Sequence, residues 1–514
     1  MSCAAGVPAV RVRRPSGGYA GYGRRVPAMT VPVLERKQMI MFAMWAIVCA
    51  AAGPLINLQF AIPAAYAATG ILVLPLVYVM VGAVLALLSV GYTAMARLVA
   101  HPAVYYAVIS RGLGRPLGVA AGMLSLLAYN AIQTSLYGLV GQQLAAVFGG
   151  PWWLYALLIV GVVAAFGMRG ITRLTVTLAV GLSVSMFFVV LFDAAAVANP
   201  GPGGVNADGF AFDGLIGAYA VAAVYPVASL MGFEAGATFT EEARHRRGPG
   251  RAVFLALAFL VVVNAVSAWT TGIGAGTAQV TSTQVDPLTV FDDQYGPIMP
   301  PYVRIAVNMA IVASMIALHA FAARYAFAMA CEGVLPRWVR STGRKKNTGQ
   351  QTQTDQQKQT GAPVGGSVLQ SGVAVLVIAG SALGGADPVL SLFVYLSALG
   401  ALCLMLLLVL SSVAAWKALP AKGPEKVGVW TRRIAPGLGI PLGGITAVLT
   451  VVNVGVLLPP GSQPMLILLA VVVVFVGGLI WGLMLRRRPG YDQIGQGRPG
   501  KYDTVVSRLG RYPV

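Results

Sequence analysis

The chain has 514 residues, of which 57% are hydrophobic and only 10% charged, with a formal net charge of +20 and a mean hydropathy of +0.76. A soluble domain carries about 25% charged residues, so this composition excludes an ordinary globular enzyme and points to the bilayer. The positive excess would suggest nucleic acid in a soluble chain. Here the basic residues lie between apolar stretches and at both ends, where they signal topology and meet anionic headgroups.

Residues 1–38 read as a disordered basic cytoplasmic tail. A bilayer span needs about 20 mostly apolar residues, and about twelve such stretches follow. They lie near 39–65, 71–96, 117–147, 152–168, 175–198, 214–240, 252–275, 301–330, 367–384, 388–416, 435–458 and 463–485. Their apolar runs are uninterrupted, which indicates helices, because barrel strands alternate apolar and polar residues. Helices 1–10 form a core over 39–416, and helices 11 and 12 follow over 435–485. Within the core, 341–365 is rich in Gln and Thr and reads as a disordered cytoplasmic loop. Residues 486–514 form a Gly-rich cytoplasmic tail.

Assigning the gaps alternately to two sides separates the charges. One side collects the arginines and lysines, from Arg97, Arg111 and Arg115 to Arg486, Arg487 and Arg488. The other holds no Lys or Arg and carries Asp208, Asp213, Asp286, Asp292, Asp293 and Asp387. Only Arg304 and Arg324 fall inside a span. This pattern predicts an even span count, both termini in the cytoplasm and a plasma-membrane location.

The first span is interrupted at Ala52-Gly53-Pro54, followed by Leu55, Ile56, Asn57 and Gln59, and again at Pro63. Proline removes a helical donor and glycine frees the backbone. The sixth span carries Pro226, Ser229, Leu230, Met231, Gly232 and Glu234. Breaks in spans one and six suit two inverted halves, 1–5 and 6–10, with a substrate site at the paired breaks. The alternative for each break is a packed proline kink. Glu234 is an acid inside a span, where a carboxylate costs about 2.5–3.5 kcal/mol on insertion scales. It reads either as a coupling site or as a structural acid. Arg324 reads either as a gate or ion-pair partner of Glu234, or as a cation snorkelling to headgroups. Tyr129, Asn130, Gln133 and Tyr137 share one stretch of span three and are candidates for substrate contact or interhelical packing. The four cysteines and three histidines show no metal or disulfide spacing, and no GxxxxGK[ST] run occurs.

Four stretches also carry a resemblance. GFEAGATFTEEARHRRGPGRAV, HAFAARYAFAMACEGVLPRWV, AVYYAVISRGLGRPLG and GRPLGVAAGMLSLLAYNAIQTSLYGLVG resemble segments of bacterial permeases of the amino acid–polyamine–organocation (APC) superfamily. The resemblance implies an all-α membrane fold of about twelve helices, a five-plus-five inverted repeat with helices 1 and 6 discontinuous, and two additional C-terminal helices. It implies that a substrate's amino and carboxyl groups meet Ala52–Ile56 and Ser229–Gly232. Ile56-Asn57-Leu58-Gln59 stands where many members have a Gly-Ser-Gly-like run. The expected activity is secondary transport of amino acids or related amines, driven by a proton gradient or by sodium, without a cofactor. The expected partners are a small-molecule substrate and membrane lipid, not nucleic acid. An exchanger, a polyamine carrier and a non-transporting nutrient sensor are the alternatives. A membrane-embedded enzyme would require clustered Asp, His or Cys at one membrane face, and the sequence scatters them.

Overall fold

A computed structural model of the chain describes residues 39–168, 171–240, 243–282, 285–342, 363–422, 426–459 and 461–496, with backbone alone over 171–174. The tail 1–38 lies outside these residues, apart from the expected range's neighbour Met39, as do most of 341–365 and the end of 486–514. The described residues are helical, with one isolated parallel bridge between Met39 and Ala243.

Twelve apolar helical segments appear in the expected order. They are α1 (Met41–Thr69), α2 (Leu74–Val99), α3 (Arg115–Phe148), α4 (Trp152–Gly167), α5 (Ile171–Ala198), α6 (Leu215–Ala222 with Val224–Phe239), α7 (Gly248–Ala275), α8 (Met299–Cys331), α9 (Val364–Leu383), α10 (Pro388–Ala418), α11 (Trp430–Val452) and α12 (Met465–Leu485). Ten are long and apolar enough to cross a membrane, and the bent pair in α6 makes an eleventh. α4, at 16 residues, is the shorter one. Some ends differ from the sequence reading. α1 runs to Thr69, and α11 begins at Trp430 and stops at Val452 before a 3-10 turn over Val454–Leu457. α9 begins at Val364, so Val364 and Gly365, assigned above to the disordered loop, are helical. There Gly365 and Gly366 lie close against the backbone of Val339 and Ala323, where a Cβ would not fit.

Burial sorts the helices. In α1, α3 and α8, 72%, 72% and 78% of the apolar window is buried in protein, against 28% for α9 and 22% for α12. The first three therefore form the centre, and the others turn apolar side chains such as Leu376, Leu383 and Leu469 outward. Since lipid tails are as apolar as leucine, such faces suit a bilayer, and helix association there depends on close packing of small residues. α12 shows this: a Cβ on Gly478 or Gly482 would lie 2.7 Å from the Cα of Ala120 or Pro116 on α3. The short helix Val104–Leu113 joins α2 to α3 at the arginine-bearing end of the bundle. The helix Pro287–Tyr295 lies between α7 and α8 at the aspartate-bearing end.

Candidate functional site

The two interrupted helices meet. In α1 the first half ends at Ala52, and Gly53 takes φ +57°, a left-handed conformation that ends the helix before Pro54 restarts it. The restart is π-helical over Asn57–Ala61, which accommodates the missing N–H of Pro63. In α6, Pro226 cannot bond back one turn, and the helix bends by 59° at this point of the span. The helix stops at Leu230, Met231 is extended, Gly232 takes φ +108°, and a 3-10 helix continues over Phe233–Phe239. A methyl built on Gly232 would lie 3.9 Å from the Ala52 nitrogen, so the two breaks face each other.

Broken helices strand backbone groups, and stranded buried groups must find partners. Asn57 serves two of them. Its Nδ2 donates to the Ser229 carbonyl at 3.0 Å and to the Ala52 carbonyl at 3.4 Å, tying both breaks with one amide. Ser314 of α8 donates to the Ala51 carbonyl. The Ser229 hydroxyl donates to Tyr225 O at 2.9 Å and accepts from Tyr78 at 3.0 Å. Glu234, fully buried, accepts the Gly232 N–H at 2.8 Å on Oε2 and the Tyr129 hydroxyl at 3.1 Å on Oε1. Among the described residues, neither the Gly53 nor the Met231 N–H closes a helix-capping bond. The breaks thus place unused amide donors beside carbonyls held by removable side chains.

The structure therefore brings together Ala52, Gly53, Asn57, Ser229, Gly232, Tyr129 and Glu234. Pro54, Leu55, Ile56, Leu230 and Met231 are buried beside them on the same two breaks. Asn130 bonds neither break among the described residues: its Nδ2 donates to Leu126 O on its own helix at 2.8 Å. Arg324 is buried too, but it donates to Ala320 O at 3.0 Å and lies 5.5 Å over the Phe239 ring; it is not among the hydrogen-bond partners of Glu234. The side of Glu234 facing the basic end is filled by rings. Tyr92 and Tyr105 stack at 4.9 Å, and Tyr129 packs with Phe321 and Tyr325.

Three further polar clusters appear, two of them outside the sequence reading; the other contains Gln133 and Tyr137, singled out above, in interhelical packing. Asp193 on α5 accepts from Thr270 at 2.6 Å and from Ser267 at 3.4 Å on α7. An acid within an apolar run was the available signal, as it was for Glu234. Gln133 on α3 donates to Tyr137 and meets His319 of α8 at 3.2 Å; His319 bonds Ser367, and Gln370 donates to Gln133. No spacing rule links residues so far apart in the chain. At the basic end, Glu332 lies 3.0 Å from His101 Nε2 and accepts from Tyr106 at 2.6 Å and from the Gly495 N–H at 2.7 Å. Burial would raise its pKa, but His101 and these hydrogen bonds outweigh it and hold the carboxyl below its ordinary value. The segment after α12, read above as tail, is seated here: Ile494 is buried, and Arg115 pairs with Asp492 at 3.1 Å.

The model of the amino acid permease family matches residues 41–480, which includes both breaks and all twelve helical segments except the end of the last. A comparison with curated proteins returned no match.

Proposed function

The chain belongs to the amino acid permease family, a family of membrane transporters, and from that premise we propose that it is a secondary carrier of amino acids or related amines working by alternating access. The meeting of the α1 and α6 breaks carries this reading. A zwitterion presents a carboxylate and an ammonium group. The Gly53 and Met231 amides suit the first, and the carbonyls of Ala52 and Ser229 suit the second once Asn57 yields them. Helix breaks at membrane depth are tolerated where they line such a site.

The positive-inside rule puts the arginine-bearing end, with Glu332 and the seated tail, in the cytoplasm of a plasma-membrane protein. A cavity of about 400 Å³ indents the aspartate-bearing end, and one of about 460 Å³, lined by Arg97, Arg246, Arg251 and Lys426 among others, indents the arginine-bearing end. Glu234 is the proton-coupling group in this reading. A proton on the carboxylate removes its charge and weakens the bonds it accepts from the Gly232 N–H and the Tyr129 hydroxyl, so protonation loosens the α6 break.

The test is uptake of labelled amino acids by proteoliposomes with and without an inward proton gradient. Gradient-driven accumulation by the wild type, lost in Glu234→Gln while exchange persists, is the expected result. Undiminished gradient-driven accumulation by Glu234→Gln would remove the coupling role. No uptake or exchange of any amino acid or amine would sink the carrier reading and favour a sensor.

A further inference from the structure

The cavity at the aspartate-bearing end has a chemistry of its own. Gln59, Phe60, Gln143, Asp286, Arg304 and Val307 are among the residues that line it. Its volume, about 400 Å³, falls within the roughly 300–1,000 Å³ of small-molecule sites. Asp286 caps the helix Pro287–Tyr295 by accepting the Leu288 N–H at 3.0 Å, and it accepts Gln59 Nε2 at 2.8 Å. Both bonds use Oδ1, so Oδ2 remains available. Arg304 stands in the second turn of α8, exposed, and its side chain has no hydrogen-bond or ion-pair partner among the described residues.

That cation is out of place by the charge pattern. Among the described residues it is the one Lys or Arg at an end that otherwise carries aspartates. It lines the same cavity as Asp286 without forming an ion pair with it. Two opposite charges that share a cavity and leave each other unsatisfied are complementary to a ligand bearing both. A guanidinium binds a carboxylate through two parallel N–H bonds, and a carboxylate with a spare oxygen accepts from an ammonium. Gln59 and Gln143 add amide groups. A polyamine gains Asp286 but meets repulsion from Arg304. Phe60 lines the cavity three residues beyond Asn57 and packs edge-on with Phe393 of α10 at 6.3 Å, so the cavity lies against the π-helical segment that follows the α1 break.

We infer that this vestibule is an outer recognition site for zwitterionic α-amino acids, with Arg304 taking the carboxylate and Asp286 the ammonium, and that it excludes polyamines. The inference rests on the carrier reading above and narrows its substrate class. It adds a selective step before the helix breaks, where field focusing raises the local substrate concentration.

The experiment measures uptake of labelled L-amino acids and of spermidine by proteoliposomes holding the wild type, Arg304→Gln, Arg304→Lys or Asp286→Asn. Asparagine retains the helix cap, and Arg304 is exposed, so all variants should fold; melting temperatures check this. The site predicts that Arg304→Gln and Asp286→Asn raise KM for the transported amino acid about fivefold at unchanged maximal rate, the size of one solvent-exposed charge pair. Arg304→Lys should recover part of the loss, because an ammonium keeps the charge but not the two parallel bonds. Unchanged KM in both variants overturns the site and leaves the carrier reading intact. Spermidine uptake by the wild type overturns the exclusion and also leaves the carrier intact. If the wild type takes up neither amino acid nor amine, the carrier reading fails, and the site falls with it.

Discussion

Replacing Glu332 by glutamine tests whether the cluster at the arginine-bearing end is held by charge. The side chain is about 10% exposed, and it gathers donors from three separate segments: His101 after α2, Tyr106 on the short helix, and Gly495 beyond α12. Glutamine keeps the shape but exchanges one oxygen for NH2. With that nitrogen in place of Oε2, it opposes the Gly495 N–H, which cannot accept. In place of Oε1 it opposes His101, whose Nδ1 already accepts the Ala103 N–H at 2.9 Å, leaving Nε2 to donate. Either orientation leaves a buried donor unpaired, at a cost of about 1–3 kcal/mol. The pH dependence has a definite sign. The carboxyl is held below its ordinary value in the fold, so its stabilisation is complete above the unfolded value of about 4.3 and is lost as pH falls through the lower folded value. Thermal unfolding in detergent should therefore show the variant less stable at neutral pH, with the gap closing under acid. Trypsin should also cut sooner after Arg486, Arg487 or Arg488 in the variant, because the Gly495 tether is weakened. Equal melting temperatures at neutral pH, or a gap that does not change with pH, would refute the reasoning.

Three further substitutions probe the centre. Asn57→Leu removes the amide that ties Ala52 O to Ser229 O; it should cost about 1–3 kcal/mol in thermal unfolding and abolish uptake. Gly232→Ala has room, its nearest neighbour being 3.9 Å away, but φ is +108°. A melting temperature lowered by about 1–3 kcal/mol of strain, together with slowed transport, is the expected outcome, and an unchanged protein would show that the break relaxes. Gln133→Leu leaves Gln370, His319 and Tyr137 short of partners; a double-mutant cycle with Gln370→Leu should show coupling of about 0.5–3 kcal/mol, and simple additivity would mean that the chain of bonds does not act as a unit.

Much was legible from residue order alone. Span count, helix order, the breaks at Gly53 and Pro226 and the segregation of charge are properties of continuous segments. The bilayer requires long apolar runs, proline and glycine act on their own backbone, and Lys and Arg mark the ends of the run in which they sit. The buried acid Glu234 was legible for the same reason. What only the tertiary structure decided are pairings between distant segments. Asn57 reads in sequence as one polar residue after a kink; only the approach of α6 shows that it holds Ser229 O, 172 residues away. Charge alone left Arg324 open between a gate or ion-pair partner of Glu234 and a snorkelling cation; in the fold it is buried over Phe239 and bonds Ala320 O, while Glu234 takes Gly232 and Tyr129, since direction along a packed helix is set by neighbouring helices. Glu332 lay inside a recognised run, but its role appears only when Gly495 folds back onto it. Arg304 and Asp286 are 18 positions apart with a helix between them, and only the fold sets them on one cavity. Hydropathy is carried by each residue separately, whereas a site depends on which surfaces the packed helices bring face to face.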